Sequence, residues 1–181
     1  MNKDIARVLL SEEQLKKRIA EMGEEISRDY AGKTPTIICI LKGAVMFYTD
    51  LLREITVPMT MDFMAVSSYG TKTKSSGEVE IRKDLSSSIE NKHVLIVEDI
   101  VDSGFTLSYL SRMLASRGAA SIKIATLLDK PARRAPGITL KTDYSGFVVG
   151  DEFVVGYGLD YAELYRNLPY VGVLKPEVYE M

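Results

Sequence analysis

With one cysteine and one histidine in 181 residues, the chain lacks the material for several kinds of chemistry. A single thiol cannot close a disulfide within the chain. Cys39 sits in the apolar run Ile37–Leu41, where a buried structural thiol in a cytoplasmic protein is expected. His93, the lone imidazole, precedes a strand-like run, which argues against a zinc cluster or a Ser-His-Asp triad. Charge of either sign is also lacking in excess, since the net charge is −2. No global field draws the chain to nucleic acid or an anionic membrane. The opening MNKDIARVLLSEEQ has no long apolar core, neither end carries a lipidation motif, and the apolar runs are strand length. Neither a signal peptide nor a membrane span is expected. GxxxxGK[ST] and GxGxxG are missing too, so the P-loop and dinucleotide fingerprints are unmet.

What is present reads as one ordinary globular domain over residues 1–181, 46% hydrophobic and 27% charged. Ser11 and Gln14 make a capping box, and Leu15, Ile19, Met22, Ile26 and Tyr30 form one helical face closed by Gly32. Thr36–Leu41, Met59–Val66, Val94–Val97, Ile122–Leu128 and Phe147–Val149 read as strands. Ala44–Glu54 reads as a helix with Val45, Tyr48, Leu51 and Leu52 inward. The alternation predicts an α/β fold with a mostly parallel central sheet flanked by helices. Ligands of such sheets sit beyond the carboxyl ends of strands, and Lys42, Glu98 and Lys130 all follow strand ends. The tetrad FVVG occurs at 147 and at 153, too short to be a repeat.

Residues 94–106, VLIVEDIVDSGFT, carry the most information. Val94–Val97 is a strand pattern buried on both faces. Glu98 and Asp99 follow where that strand should emerge into solvent. Asp102 precedes Ser103-Gly104-Phe105-Thr106, which opens a helix with Leu107, Leu110 and Leu114 on one face, ending before Gly118. A helix N-terminus offers free N–H groups and a positive dipole end, so a small Ser/Gly/Thr turn there suits a phosphate. Carboxylates beside it make sense if the ligand also carries hydroxyls or a divalent cation, as a phosphorylated ribose does. The bland reading is a capping turn with solvated acids. Residues 67–77, SSYGTKTKSSG, read either as a solvated hairpin tip or as a lid that excludes water through Tyr69.

The string VLIVEDIVDSGFT resembles the ribose-phosphate loop of the type I phosphoribosyltransferases. LKG at 41–43, SSYG at 67–70, LLDKPARR at 127–134 and FVVGYGLDYAELYRNLPYVGVL at 153–174 are similar to the 6-oxopurine (hypoxanthine-guanine) branch. Phe105 departs from the pattern as a bulky residue in the phosphate loop. The resemblance implies transfer of ribose 5-phosphate from phosphoribosyl pyrophosphate to hypoxanthine or guanine, with Mg²⁺ required. It implies Asp102 as general base near the purine, Glu98 and Asp99 facing the ribose or Mg²⁺, and Ser103 to Thr106 around the 5-phosphate. Lys130 would donate to the exocyclic oxygen, Phe153 would stack on the purine, and the backbone of Val154 would read its edge. Lys42, Gly43 and Arg166 would hold pyrophosphate, with a cis peptide before Lys42, and Asp160 would join Glu98 and Asp99 as a metal ligand. The lid would span 67–80 with Ser68 and Tyr69, and 151–181 would form a small base-binding hood. A homodimer or homotetramer is the assembly implied.

Taken singly, most of these residues have plainer readings: Lys130 a solvated charge, Phe153 a core residue, Asp160 and Arg166 a surface ion pair. The rival function is a fold-related RNA-binding pyrimidine operon attenuator with uracil phosphoribosyltransferase activity. That group carries Y-T-G-R-T where this chain has Asp102-Ser103-Gly104-Phe105-Thr106, and the chain lacks the basic charge an RNA face favours.

Overall fold

The computed structural model describes residues 2–68 and 79–180. β1 (Ile5–Leu10) is followed by α1 (Glu12–Asp29), β2 (Thr36–Leu41), α2 (Val45–Glu54), β3 (Thr60–Ser68) and β4 (Val79–Lys83). Then come β5 (His93–Val101), α3 (Phe105–Ser116), β6 (Ser121–Asp129), β7 (Tyr144–Val148), β8 (Val154–Val155), β9 (Val171–Leu174) and the short α4 (Pro176–Tyr179). A six-stranded sheet has the order β4-β3-β2-β5-β6-β7, and a three-stranded sheet has the order β1-β9-β8. Every pairing in the larger sheet is parallel except β3 with its edge neighbour β4. The expected α/β architecture is present.

Local chemistry explains the elements. Both arms of the Ser11–Gln14 capping box form, at 3.2 and 2.8 Å, satisfying N–H groups that would otherwise be orphaned. The α1 face lies where spacing puts it, with Leu15, Ile19, Met22 and Ile26 buried. Gly23 lets α2 approach, since a methyl group there would come 2.4 Å from the Cβ of Glu54. Strand alternation then divides the core. Ile37, Cys39, Leu95, Val97, Ala125 and Leu127 pack under α1 and α2. Ile38, Ile40, Val94, Ile96 and Ile124 pack under α3 on the other face. On α2 it is Phe47 that is buried with Tyr48, Leu51 and Leu52, while Val45 is only half-buried.

Three strand boundaries differ from expectation. β5 does not surface after Val97 but stays in register with β6 as far as Val101↔Asp129, so Glu98 and Asp99 lie inside the strand. β7 starts at Tyr144, because Tyr144 and Ser145 pair with Ala125 and Thr126 of β6. β1 has no alternation to announce it, and it exists by pairing with β9. The expected hood at 151–181 therefore takes a strand from residues 5–10 as well.

The topology also opens a cleft. From β2 the chain passes to β3 on one side, and from β5 to β6 on the other, so strand order reverses between β2 and β5. Their mutual pairing ends at Cys39↔Val97, while β2 continues along β3 to Leu41↔Ala65. Residues 98–101 of β5 are left bordering a crevice on the β2 side. Among the described residues, no helix is long and apolar enough to cross a membrane.

Candidate active site

Two adjoining cavities of about 150 and 410 Å³ occupy this crevice and share Glu98, Asp99 and Thr106 in their walls. The smaller is also lined by Asp102, Gly104 and Leu107. The larger adds Gly43, Asp160 and Arg166. Residues from the end of β2, from β5 and the start of α3, and from the hood thus meet at the point where the sheet topology predicts a ligand.

The floor is acidic. Glu98 is buried, and Asp99 reaches the cleft beside it. Nearby backbone N–H groups donate to them: Asp99 N to Glu98 (3.2 Å) and Ile100 N to Asp99 (2.7 Å). Burial pushes both carboxyls above the ordinary carboxylate range. Glu98 is pushed further, since the neighbouring Asp99 charge also opposes its ionisation. Gly43 packs directly on this pair, since a methyl group there would lie 1.6 Å from Asp99 Oδ2. Gly158, at φ +101, packs in turn on Gly43, with its own missing methyl 2.0 Å from the Gly43 carbonyl oxygen. The peptide between Leu41 and Lys42 is cis, as the resemblance implies.

The loop from Asp102 to Thr106 closes one end. Gly104 is the N-cap of α3 and adopts φ +80, a conformation other residues avoid. Arg134 Cδ and Ile138 Cγ2 stand about 3.1 and 3.0 Å from where its Cβ would be. The Asp102 side chain is exposed and accepts from the Ser103 N–H. Phe105 is partly exposed and lines neither cavity, and the same holds for Ser103, whereas Thr106 lines both. The bulky ring therefore stays off the cleft wall.

At the β6 end, Lys130 is buried, contrary to the plain reading of a solvated charge. Its Nζ donates to the Glu152 carbonyl at 2.6 Å. Burial, with the nearby Arg133 charge, lowers its pKa from the ordinary lysine value. Phe153 presents a partly open ring that stacks on Tyr179 of α4, centroids 4.8 Å apart, and meets Tyr161 edge-on. Val154 lies in β8, paired with Val173. Leu174 N donates to the Phe153 carbonyl, so by antiparallel alternation Val154 turns its N–H and C=O to the free edge of the hood sheet.

The opposite wall is basic. Arg166 donates to the Gly158 carbonyl (2.8 Å) and pairs with Asp160 (2.9 Å), while its buried Nε has no partner among the described residues. Lys42 reaches Glu163 at 2.9 Å. Glu98, Asp99 and Asp160 line one cavity but do not converge as a closed ligand set, and among the described residues no three acidic, His or Cys side chains do. The backbone of Ser68 pairs with Val79, but Tyr69 and the rest of the expected lid through Glu78 lie outside the described residues.

The comparisons with known proteins agree with this geometry. The phosphoribosyl transferase domain family matches residues 8–162. The chain is 57% identical to the hypoxanthine-guanine phosphoribosyltransferase of Bacillus subtilis, over 99% of each protein. It belongs to the phosphoribosyltransferase family, in the hypoxanthine-guanine branch. A crystal structure of a hypoxanthine phosphoribosyltransferase from Staphylococcus aureus superposes with a TM-score of 0.95 at 52% identity, covering 99% of this chain and 96% of that one. The bifunctional protein TilS/HprT of Listeria innocua is 57% identical over 99% of this chain, which spans 27% of that longer relative.

Two parts of this cleft escaped the sequence reading. Arg134 pairs with Asp129 (2.6 Å) and donates to the Asp102 carbonyl (2.7 Å), tying the loop after β6 to the loop before α3. It lies inside LLDKPARR, but spacing alone did not separate it from Arg133. Glu163 lies inside DYAELYR and shows its partners only once β2 and the hood are brought together.

Proposed function

We propose that the chain salvages purines: it transfers ribose 5-phosphate from phosphoribosyl pyrophosphate to hypoxanthine or guanine, giving IMP or GMP and pyrophosphate. The observation that carries this reading is the acid pair Glu98–Asp99 opening onto the same cavity as Gly43, Asp160 and Arg166. Breaking the anomeric C–O bond leaves positive charge on the ribose and negative charge on the leaving group. Anions at the sugar and donors at the pyrophosphate stabilise that separation.

Each residue then has a task. Glu98 and Asp99 accept from the ribose hydroxyls. Gly104, Thr106 and the first N–H groups of α3 receive the 5-phosphate, with Ser103 and Phe105 contributing backbone only. Asp102 takes the proton from the purine nitrogen. Lys130 trades its Glu152 carbonyl for the 6-oxo group, and an adenine amino group would be a poor substitute for that acceptor. Phe153, backed by Tyr179, stacks on the base, and the free backbone edge of Val154 reads it. Lys42, Gly43 and Arg166 hold the pyrophosphate, the unpartnered Arg166 Nε being a donor in want of an anion.

The donor set also fits Mg²⁺. It consists of hard carboxylate oxygens, with Glu98 buried, Asp99 half-buried and neither in an ion pair among the described residues, in an open arrangement that leaves room for substrate oxygens. Asp160, with Glu98 and Asp99, would hold the ion, which when bound neutralises the leaving pyrophosphate. A cytoplasmic enzyme acting as a homodimer or homotetramer, with residues 67–80 as lid, completes the proposal. Incubating the purified chain with phosphoribosyl pyrophosphate, Mg²⁺ and each base in turn tests it. Hypoxanthine and guanine should yield nucleotide; product from uracil alone would point to the attenuator-type reading instead.

A further inference from the structure

Glu163 has no part in the reaction just described, yet both cations of the pyrophosphate wall touch it. Lys42 Nζ lies 2.9 Å from its Oε2, and Arg166 Nη2 lies 3.4 Å from its Oε1. Lys42 comes from the end of β2 and Glu163 from the hood, 121 positions later. One carboxylate thus spans an ammonium and a guanidinium, as two oxygens of a phosphoryl group would. The backbone is shaped to present it: Ala162 and Glu163 adopt φ 50 and 65, and Glu163 N donates to Asp160 Oδ2 at 2.9 Å. Asp160 meanwhile holds the same guanidinium through its other oxygen, at 2.9 Å. Both Lys42 and Glu163 are solvent-exposed, so their pairing is weak and exchangeable.

We propose that Glu163 is an internal counter-anion that competes with pyrophosphate for Lys42 and Arg166, and so sets the affinity for phosphoribosyl pyrophosphate and the release of product. This rests on the reading that Lys42 and Arg166 hold pyrophosphate. A polyanion gripped by two cations leaves slowly unless those cations have another partner. Glu163 supplies that partner at once, without waiting for solvent ions, and is pushed aside when the next substrate enters.

The test is calorimetric titration of inorganic pyrophosphate, with Mg²⁺, into the full chain and into Glu163→Gln, alongside steady-state kinetics. Removing the competing charge should tighten pyrophosphate and lower the KM for phosphoribosyl pyrophosphate by about two- to tenfold, given the strength of exposed ion pairs. The KM for hypoxanthine should not move, and the gain should shrink as salt rises. Glu163→Asp, which keeps the charge but shortens its reach, should fall between the two. A Glu163→Gln protein that binds pyrophosphate equally or more weakly overturns the proposal and leaves Glu163 a loop staple. Arg166→Gln separates the two readings. If it leaves pyrophosphate affinity unchanged, the assignment of the wall fails and the proposal with it. If it weakens binding while Glu163→Gln does not tighten it, the counter-anion role alone is wrong.

Discussion

The two walls of the cleft store charge in opposite ways. On β5, Glu98 is buried and Asp99 half-buried beside it, neither meets a cation in an ion pair among the described residues, and desolvation holds both carboxyls above the ordinary range. On the hood side, Lys42 and Arg166 are already paired, with Glu163 and with Asp160 and Glu163. On the proposed function, the acidic wall receives a cation or a diol, while the basic wall exchanges one anion for another. A buried carboxylate cannot borrow a counter-ion from solvent, whereas an exposed ammonium can. On that same function, desolvation would favour tight engagement of metal and ribose, and ready pairing would favour turnover of the leaving group.

The bluntest way to break this contrast is to remove the cation. EDTA should abolish nucleotide formation and added Mg²⁺ should restore it; full activity in chelator would count against the acidic wall as a metal-facing surface. Next in size is Asp102, the exposed acid at the edge of that wall. Asp102→Asn should lower kcat by roughly 10²–10⁴-fold, the usual range for a lost general base, with little change in phosphoribosyl pyrophosphate binding. Stopped-time assays with hypoxanthine measure it, and near-normal turnover would remove Asp102 from that role.

Lys130 sharpens the comparison, because it is a buried cation rather than an exposed one. A charge-assisted hydrogen bond contributes about 1.5–3 kcal/mol. Lys130→Ala should therefore shrink the kcat/KM preference for hypoxanthine over adenine by roughly one to two orders of magnitude. The smallest expected effect is on stability. A carboxyl whose folded pKa lies above its unfolded value stabilises the fold at low pH and loses that contribution as pH rises through the folded value. Glu98→Gln removes a charge that the ligand-free fold holds at a cost. Its Tm at pH 7.5 should rise by about 2–4 °C, the shift expected per kcal/mol for a chain of this size. The gain should fade towards pH 4.5. A lower Tm at neutral pH would show that Glu98 is held by favourable partners.

These charges were legible in the sequence as residue types but not as environments. Glu98 and Asp99 were expected past a strand end because buried strands rarely carry acids. The ladder with β6, which no local pattern reveals, keeps them inside. Lys130 looked solvated for the same reason, and only the Glu152 carbonyl explains how its burial is tolerated. By contrast, the α1 face was readable residue by residue, since 3.6-residue spacing is a local property. β1 lay at the other extreme. Ile5–Leu10 leaves Val8 about half exposed and, among the described residues, finds its strand partner in residues 171–174 alone. Glycines 43 and 158 were visible as letters, and their meaning came from what each would strike.

That pairing of β1 with β9 sets an order of events during synthesis. Ile5 lies opposite Leu174, so β1 is made well before the strand it pairs with. The six-stranded sheet needs nothing beyond Val148, and it can assemble with Glu98, Asp99 and Asp102 already in place. The hood, which brings Lys130 its carbonyl and the cleft its arginine, closes only after Leu174 has left the ribosome. A chain halted before that point carries Glu98, Asp99 and Lys42 without a closed hood to set Arg166 opposite them. The capture of β1 by β9 is thus the contact that completes the three-stranded sheet beside the cleft.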